Sequence, residues 1–555
     1  MDYYKGSLLD EKKNKELLKL ALTNAVKYKG KANPGTVISG SLGLYPELKE
    51  DMKSLAISAN NIVKNINSLD IQAQEELLLE LDPDALKKEE HDLFGFLKIK
   101  KGEKVITAFP PGPEKYPHIG HAKALLINYE LAKKYEGEFI LRFEDTNPGL
   151  VKAEFYEIMQ EDFKWLGVSW DKLVYASDYM DLYYKHAEEL IKKGEAYVCF
   201  SKPEEFKEFR EKGIEPPAYK NSVEKNLELW NNLANLNPGE AVVRLKIDIS
   251  HKNSTMRDPT IFRILNEEHA RHGNKYKVWP NYDFQNSIMD GYFNITHRLR
   301  SKEFELRNEL QRYIQRLLGY KETSIYEFAR FNLKGVESSG RVIREKILSN
   351  ELIGWDDPSL TTLVALKKRG FQPEAIKSFV LSTGITKNES TLTWDDFILH
   401  NKRLLDKEAK RFFFVRDPIK IKIVGAPKKT IKLHSHPDEK DGKREFNVHE
   451  DYYISKQDFD SLKPGVYRLI ECLNFEFDGE SFKYLDNEIS TYKNKGKGMF
   501  HFVIDDVKGE VLMPTKELIK GFVEPGALSV AKGKVIQFER FGFVCKNDNF
   551  WFTHK

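Results

Sequence analysis

Two histidines and a glycine stand together in Phe109–Gly137, which reads FPPGPEKYPHIGHAKALLINYELAKKYEG. His118 and His121 share one face of a helix, because residues at this spacing lie one turn apart. The amphipathic run that follows predicts a helix beginning at this cluster, where free N–H groups and the helix dipole attract anions. Imidazoles there can donate hydrogen bonds to phosphoryl oxygens, and Gly120 leaves room for a base or a phosphate. The cluster therefore suits stabilisation of charge on a phosphate, although a histidine pair that only caps a surface helix has the same short pattern.

The elements around this cluster predict a βαβ unit. Lys104–Pro111 (KVITAFPP) is a short apolar strand followed by a Gly/Pro loop, and the histidine helix comes next. Gly137–Pro148 (GEFILRFEDTNP) is a second β-rich run that ends in acidic and turn residues. Such a unit implies a parallel sheet with a right-handed crossover, and ligands of these sheets bind at the carboxyl ends of the strands. Both the histidine cluster and the acidic run fall at that end.

Length and composition limit the possible classes of protein. A chain of 555 residues is too long for one core, so we expect three to five domains. The 88 basic and 85 acidic residues nearly cancel, so any surface for nucleic acid must be local. No signal peptide and no apolar run of about 18 residues is present, which predicts a cytoplasmic protein without a membrane span. The widely spaced Cys199, Cys472 and Cys545 favour neither disulfides nor a cysteine-ligated zinc site.

The predicted secondary structure changes several times along the chain. Residues 1–98 are predicted to be helical, with apolar residues at helical spacing in residues 17–28 and 69–81. Between those runs, residues 30–50 are predicted to form a turn-rich loop that leads into another helix. The remaining predicted domains are an α/β first half at 99–195, a loop-rich insertion at 196–280, an α/β second half at 281–350, a helical connector at 351–415 and one or two antiparallel β-barrels at 416–555.

Several segments resemble one known family in the same order along the chain. Residues 117–148 resemble the HIGH signature and the following strand of class I aminoacyl-tRNA synthetases of the glutamyl/glutaminyl branch. LALTNAVKYKGKANPGTVISG, at residues 20–40, is similar to the N-terminal domain of archaeal-type glutamyl-tRNA synthetases. Other segments that fit this family are WPNYDFQNSIMDGYFNITHRLRSKEF, GWDDPSLTTLVALKKRGFQPEAI, NKRLLDKEAKRFFFV and QFERFGFVCKND. Together these segments cover nearly the whole chain.

The resemblance implies both a reaction and an architecture. Members of this family activate glutamate with ATP and Mg²⁺ to glutamyl-adenylate, and they then transfer the glutamyl group to the terminal adenosine of tRNA. The implied fold is a multidomain α/β protein with a Rossmann-like class I core at 99–195 and 281–350. In this fold, residues 196–280 bind the tRNA acceptor stem and the β-barrels at 416–555 bind the anticodon arm. The helical N-terminal region is a candidate for docking another protein.

The resemblance also implies roles for individual residues. Glu144, in RFEDT, matches the carboxylate that holds the α-amino group of the substrate, and Tyr282 matches a tyrosine lining the amino-acid pocket. Arg300 matches the arginine that binds the side-chain carboxylate of L-glutamate, unless it is a surface arginine beside Glu303 and Glu305. No residue is predicted as a metal ligand. The predicted ATP-binding residues are Pro117, His118, Gly120, His121, Ser338, Ser339 and Arg341.

Two departures from the family pattern concern positive charge. Ala108 stands where the family usually has an arginine that contacts the substrate. The mobile signature loop of the family, a KMSKS variant, matches Leu333–Ile347 (LKGVESSGRVIREKI), which lacks a lysine in its core. We expect Arg341 to replace that lysine and to join His118 and His121 as a catalytic residue. Arg344 is the rival candidate, and Lys334 is a third.

Three hypotheses follow from these residues. The first is an active glutamyl-tRNA synthetase. The second is a relative that binds tRNA but is catalytically weakened, which Ala108 and the lysine-poor loop favour. The third is a glutaminyl-tRNA synthetase, which Arg300 opposes because a guanidinium gains little from a neutral amide.

Overall fold

The computed structural model describes residue 4 and residues 7–28, 30–82, 92–100, 102–331, 333–337, 339–389, 391–438 and 443–555. The chain forms two compact units, Met1–Gly95 and Phe96–Lys555. Among the described residues, no helix combines the length and the apolar character needed to cross a bilayer.

The first unit is helical, as predicted. Its helices are α1 (Glu11–Lys27), α2 (Pro34–Leu44), α3 (Met52–Ile66) and α4 (Ile71–Leu81). Each begins after an aspartate or asparagine whose side chain accepts a backbone N–H of the first turn, namely Asp10, Asn33, Asp51 and Asp70. Their apolar faces share one core, which includes Leu18, Leu22 and Leu55.

Helix α2 lies inside the segment that was predicted to be a loop, so that prediction is wrong over Pro34–Leu44. Asn33 caps the helix by accepting from the N–H groups of Gly35 and Thr36, and Pro34 takes a position where a helix needs no donor. The glycines that favoured a loop allow close packing instead. A Cβ at Gly40 would lie 3.2 Å from a methyl carbon of Leu20 on α1.

The second unit opens with alternating strands and helices. These are β1 (Ile106–Phe109), α5 (Ile119–Lys134), β2 (Glu138–Phe143), α6 (Ala153–Trp165), β3 (Lys172–Tyr175) and α7 (Met180–Lys192). The strands form a parallel sheet in the order β3-β2-β1, as the βαβ pattern predicts. One face packs on α5 through residues such as Phe109 and Leu141, and the other packs on α7 through Ala108 and Ile140.

An antiparallel sheet interrupts this pattern. Its elements are β4 (Ala196–Cys199), α8 (Pro203–Lys212), α9 (Val223–Asn232), β5 (Val242–Leu245), β6 (Thr260–Ile264) and β7 (Val278–Pro280). The strands pair in sequence order, β4-β5-β6-β7. The core of this sheet is continuous with that of the parallel sheet, because Val243 and Phe262 pack in the same cluster as Ala108.

The α/β pattern resumes after β7 with α10 (Tyr282–Tyr292), β8 (His297–Ser301), α11 (Asn308–Leu317) and β9 (Ser324–Phe328). β8 and β9 pair in parallel. The N–H of Thr296, just before β8, donates to the carbonyl of Ile106 at 2.9 Å, so β8 begins beside β1. The second α/β segment is therefore joined directly to the first.

A helical segment follows, made of α12 (Gly340–Leu348), α13 (Leu363–Arg369), α14 (Pro373–Ser382) and α15 (Trp394–Glu408). Arg369 is buried at the end of α13, where its Nη2 donates to the carbonyl of Thr553 at 2.7 Å. Gly370 has a φ of +88°, and a Cβ there would collide with Val535. These contacts hold α13 against the strands at the end of the chain.

The C-terminal part is built from strands, as predicted. They are β10 (Arg411–Phe412), β11 (Phe414–Arg416), β12 (Pro418–Val424), β13 (Lys429–His434), β14 (Lys443–Val448), β15 (Asp451–Ser455), β16 (Gly465–Leu469), β17 (Leu473–Phe477), β18 (Phe482–Asp486), β19 (Gly496–Phe500), β20 (Lys508–Leu512), β21 (Leu518–Val523), β22 (Val535–Phe538), β23 (Gly542–Lys546) and β24 (Phe550–His554), with short helices α16 (Lys456–Asp460), α17 (Ile489–Lys495) and α18 (Pro525–Leu528). One sheet has the order β10-β22-β23-β24-β20-β21-β11 and another β15-β12-β18-β17-β16-β19, while β13 and β14 form a hairpin. The predicted fold class, with N-terminal helices, a mixed α/β core and C-terminal β-sheets, is confirmed.

A buried ion-pair cluster joins the β13–β14 hairpin to the C-terminal strands. The Arg444 guanidinium lies 2.8 Å from a carboxylate oxygen of Glu524 and 3.0 Å from one of Glu539. Burial raises the pKa of both carboxyls, and the charge of Arg444 opposes that shift. The arginine thus offsets part of the cost of burying the Glu524 carboxyl and of partly burying that of Glu539.

We predict that Arg444→Ala lowers the free energy of unfolding of this region by about 3–5 kcal/mol, because two buried carboxylates lose their cation. Chemical denaturation followed by circular dichroism would measure the change. The control is Lys432→Ala on the same hairpin, whose exposed pair with Glu445 at 2.6 Å should contribute less than about 1 kcal/mol. Equal effects of the two variants would contradict the importance of the buried cluster.

Candidate active site

The two histidines form a reciprocal cap at the start of α5. His118 is the N-cap residue with extended backbone, and its Nδ1 accepts a hydrogen bond from the N–H of Gly120 at 3.0 Å. The N–H of His118 in turn donates to Nδ1 of His121 at 3.1 Å. The ring centroids are 4.0 Å apart. The histidines therefore do cap the helix, and they do so with only one nitrogen of each ring.

This cap defines the protonation of both rings. Because each Nδ1 accepts a backbone N–H, the proton of the neutral ring is on Nε2, which remains a donor. Burial, reinforced by the charges of Lys115 and Arg330, lowers the pKa of His118 to about 3. Burial, with His118 and Lys115 nearby, places the pKa of His121 well below its ordinary value. Near neutral pH the pair thus offers two uncharged N–H donors.

Gly120 and Pro117 hold this cap in place. A Cβ at Gly120 would lie 2.8 Å from Cε1 of His118, so any larger residue would displace the ring. The carbonyl of Pro117 accepts from the N–H of Leu363 at 2.8 Å, and the N–H of Ile119 donates to the carbonyl of Thr361 at 3.0 Å. The start of α5 is therefore fixed against the start of α13.

Glu144 follows the last residue of β2 and has one carboxylate oxygen available. Its Oε1 accepts from Nε of Arg142 at 2.8 Å and from the amide of Asn286 at 3.3 Å. Its buried Oε2 has no hydrogen-bond partner among the described residues. A free, buried carboxylate oxygen suits an ammonium group.

Asp145, the next residue, anchors this end of the sheet. Its buried carboxylate accepts from the N–H and the hydroxyl of Ser177, at 2.7 and 2.8 Å, and from the hydroxyl of Tyr156 at 2.7 Å. A ring nitrogen of His269, in the connection between β6 and β7, is 2.7 Å from its carbonyl oxygen. The inserted sheet thus helps to hold the segment that presents Glu144.

A buried aspartate on α10 joins two arginines from different strands. Asp290 Oδ1 accepts from Nη1 of Arg142 on β2 at 2.8 Å, and Arg298 on β8 contacts the other oxygen. Ala108 on β1 packs in the same cluster as Ile288 and Met289 of α10. Position 108 therefore has only a methyl group, while strands near it on both sides supply guanidiniums.

Arg300 is buried, with part of its hydrogen-bonding capacity unused. Its Nη2 donates to Oδ1 of Asn308 and, at 3.4 Å, to the carbonyl of Phe304. Nε and Nη1 have no hydrogen-bond partner among the described residues. Burial lowers the pKa of Arg300, and Tyr282, Asp283 and Glu327 oppose that shift. Arg300 is thus not the exposed surface arginine that was the alternative.

Glu144, Tyr282 and Arg300 all act electrostatically on Arg298. Burial lowers the pKa of Arg298 and the charge of Arg300 adds to that shift, while Tyr282 and Glu144 oppose it. The ring of Tyr282 is 5.9 Å from that of Phe304, the residue whose carbonyl accepts from Arg300. That these three residues bind the amino acid stays a prediction.

The lysine-poor signature segment, Leu333–Ile347, includes the start of α12. That start lies against the loop between β1 and α5. Ser339 caps α12 by accepting from the N–H of Val342 at 3.5 Å. The Arg341 side chain is 84% exposed and lies 3.7 Å from the carboxylate of Glu345. The predicted ATP-binding residue Ser338 lies outside the described residues. In this arrangement Arg341 is directed along α12 toward Glu345.

Sequence comparisons agree with this fold. The model of the family described as tRNA synthetases class I (E and Q), catalytic domain, matches residues 104–407. Two models described as anti-codon binding domains of the same class match residues 409–494 and 485–547. The chain belongs to the class I tRNA synthetases of the E and Q group. Membership of this class implies the use of ATP.

Individual relatives match over almost their full length. The glutamate–tRNA ligase of Pyrococcus abyssi is 42% identical over 550 residues, which covers 95% of this chain and 96% of the relative. The glutamate–tRNA ligase of Methanocaldococcus jannaschii is 38% identical over 544 residues, which covers 96% of this chain and 98% of the relative. The predicted resemblance to archaeal glutamyl-tRNA synthetases is confirmed.

Sequence reasoning missed the charged residues that support the site, namely Arg142, Asp290 and Arg298. Each is at most 3% exposed. A charged residue inside an apolar strand run is the signal that could have identified Arg142 in EFILRF, because buried charges need partners. One partner, Glu144, is two residues away, but Asp290 is 148 residues away along the chain, so no local pattern points to it.

We predict that His118→Ala and His121→Ala each slow adenylate formation by tens of fold or more, because each removes an Nε2–H donor and a cap interaction. Single-turnover assays would measure the rate, and circular dichroism would confirm folding. The control is His434→Ala, an exposed histidine on β13, which should leave the rate unchanged. Adenylation at the wild-type rate in both variants would refute the assignment.

Proposed function

We propose that this chain ligates L-glutamate to the 3′ end of tRNA through a glutamyl-adenylate. The names of the full-length relatives support glutamate as the amino acid. The observation that carries the proposal is the buried guanidinium of Arg300, which has two nitrogens without a partner among the described residues, together with the unpaired carboxylate oxygen of Glu144, both of which act on Arg298. One unpaired cation and one unpaired anion suit a ligand with a carboxylate and an ammonium group.

The charges of the pocket favour glutamate over glutamine. Arg142 pairs with Asp290 and Glu144, and Arg298 pairs with Asp290, whereas two nitrogens of the buried Arg300 guanidinium have no hydrogen-bond partner among the described residues. The side-chain carboxylate of glutamate can pair with that guanidinium, and the neutral amide of glutamine would gain less from it.

In the proposed first step, the α-carboxylate of glutamate attacks the α-phosphate of ATP and pyrophosphate leaves. Glu144 holds the α-ammonium, while Arg300, with Tyr282 beside it, binds the side-chain carboxylate. His118 and His121 donate from Nε2 to phosphate oxygens, where negative charge grows in the transition state. Gly120, Pro117 and Ser339 shape the nucleotide site. Mg²⁺ bound to ATP would neutralise part of the phosphate charge, and no residue of the chain is proposed as its ligand.

In the proposed second step, a ribose hydroxyl of the terminal adenosine attacks the glutamyl carbonyl and AMP leaves. Residues 196–280 contact the acceptor stem and residues 416–555 contact the anticodon arm, in keeping with the anti-codon binding models that match there. The predicted domain boundaries are part of this proposal. A cytoplasmic location and the docking of another protein on the N-terminal helices are also part of this proposal. Co-purification with and without residues 1–95 would test the docking.

The reaction itself is tested by ATP–pyrophosphate exchange with glutamate or glutamine, with and without tRNA. Exchange that depends on glutamate supports the proposal. Exchange with glutamine alone would favour a glutaminyl enzyme. Binding of tRNA without any exchange would favour a catalytically weakened relative.

We predict that Arg300→Gln lowers kcat/KM for glutamate by about a hundredfold or more and changes the KM for ATP little, because only the amino acid loses its charged partner. Exchange kinetics would separate the two parameters. Arg316→Gln is the matched control, since this arginine is 55% exposed on α11 and pairs with Glu322. If the control and Arg300→Gln behave alike, Arg300 does not bind the side-chain carboxylate.

We predict that the chain protects both the acceptor stem and the anticodon arm of a glutamate tRNA from nuclease digestion. The insertion and the C-terminal sheets would cover the two ends of one L-shaped molecule, and phosphate contacts would make the protection sensitive to salt. A transcript with an altered anticodon is the control. Protection of the acceptor stem alone would contradict the role proposed for residues 416–555.

A further inference from the structure

The absence of a lysine from the core of the signature segment raises the question of which cation faces the phosphates. The two histidines are held neutral, so they donate hydrogen bonds but add no charge. Arg341 is mostly exposed and lies beside Glu345. A site that stabilises a developing phosphate charge gains most from a cation that is already in place. A cation already held in place on another element is therefore the alternative to Arg341.

Lys115, in the loop between β1 and α5, lies against the signature segment. A Cβ built on Gly340 would be 2.7 Å from Cδ of Lys115 and 3.6 Å from its Nζ. The lysine stem thus occupies the space where a side chain at position 340 would start. The Lys115 side chain thus brings the loop into contact with Gly340, the first residue of α12.

The loop that carries Lys115 is fixed on both sides of the lysine. The ring of Tyr116 stacks on Trp355 at 5.6 Å and meets Phe155 edge-on at 5.5 Å. The carbonyl of Glu114 accepts from Nη2 of Arg344 at 3.5 Å. Lys115 is therefore presented by a backbone that packing and hydrogen bonds already hold.

Lys115 precedes His118 by three residues, and its charge contributes to the lowered pKa of both His118 and His121. Burial lowers the pKa of Lys115 itself, and the adjacent Glu114 carboxyl opposes that shift. No hydrogen bond or ion pair joins Lys115 to any residue in the part of the chain that the structure describes. The other nearby cations are engaged, since Arg330 pairs with Glu303 at 3.1 Å and Arg344 donates to Glu114.

We propose that Lys115 is the catalytic cation of the ATP site, taking the role that the signature loop does not fill, with Gly340 leaving the space for its side chain. This inference rests on the proposed function. Lys115 would contact the phosphates of ATP as glutamate attacks, while His118 and His121 donate their Nε2 protons as hydrogen bonds. Arg341 is the competing candidate.

The test is single-turnover adenylate formation at saturating ATP and glutamate. Lys115→Met should reduce this rate by about a hundredfold and raise the Kd for ATP less than about threefold, because the contact strengthens in the transition state. Lys115→Arg should retain the rate within about tenfold, since it keeps the charge. Lys152→Met is the control, because this exposed lysine precedes α6 and its N–H donates to Pro113 of the same loop.

A second set of variants uses the contact with Gly340. In the Lys115→Met background, Gly340→Lys returns a lysine to the same space from the other side, so it should recover most of the rate. Gly340→Met in that background fills the space without charge and should not. If Gly340→Lys recovers the rate and Gly340→Met does not, the reaction needs the ammonium charge and not only a filled space.

The outcomes separate this inference from the proposed function. An active wild type whose Lys115→Met variant keeps at least half its rate would overturn the role of Lys115 and leave the proposed function intact. Loss of rate in Arg341→Ala but not in Lys115→Met would assign the cation to Arg341. A folded wild type without glutamate-dependent exchange would overturn both.

Discussion

The contact between Asp290 and two buried arginines is the constraint on which the amino-acid pocket depends. A carboxylate and two guanidiniums away from water are stable only when they are paired, so Arg142 and Arg298 must both reach α10. Arg142 comes from β2, before the inserted sheet, and Arg298 comes from β8, after it. Their common partner therefore fixes the two α/β segments relative to each other. It also positions the substrate-facing groups, because Glu144 accepts from Arg142 and Arg300 lies two residues beyond Arg298 on β8.

The site combines neutral hydrogen-bond donors with charged side chains. His118 and His121 use Nδ1 to close the helix cap, which leaves Nε2–H groups that do not depend on pH near neutrality. Because burial keeps these rings neutral, they can lie next to Lys115 without like-charge repulsion. A protonated pair in the same place would repel that lysine and add hydration cost. The low pKa of the histidines is thus a condition for holding a cation close to them, and the cap is what positions both.

The sequence allowed the fold class to be predicted where short patterns carry a physical requirement, whereas Glu144, Tyr282 and Arg300 came from the family resemblance and stay predictions. The HIGH cluster predicted a helix start because a glycine and two polar rings fit only there, and the βαβ pattern predicted the parallel sheet. Helix α2 was missed because Pro34 and the glycines at 35, 40 and 43 have the composition of a loop, whereas Asn33 and the packing on Leu20 decide the structure. Asp290 and Arg298 were missed because they lie on different elements, α10 and β8, and Arg142, the second arginine bound to Asp290, is 148 residues away along the chain. The contact between Lys115 and Gly340 joins loops that no local periodicity connects.

At both departures from the family pattern, one element lacks a positively charged side chain and an element packed nearby carries one. At Ala108 the side chain on β1 is a methyl group, and guanidiniums reach Asp290 from the strands on either side. At Gly340 there is no side chain, and a lysine from the facing loop fills the space. Electrostatic stabilisation depends on where a charge lies and on how firmly it is held, and not on which strand or loop supplies it. A missing cation in one element is therefore weak support for lost catalysis until the residues packed against that element have been considered. In this chain those residues are Arg142, Arg298 and Lys115. Arg142 and Arg298 lie on the strands on either side of Ala108, and Lys115 packs against Gly340.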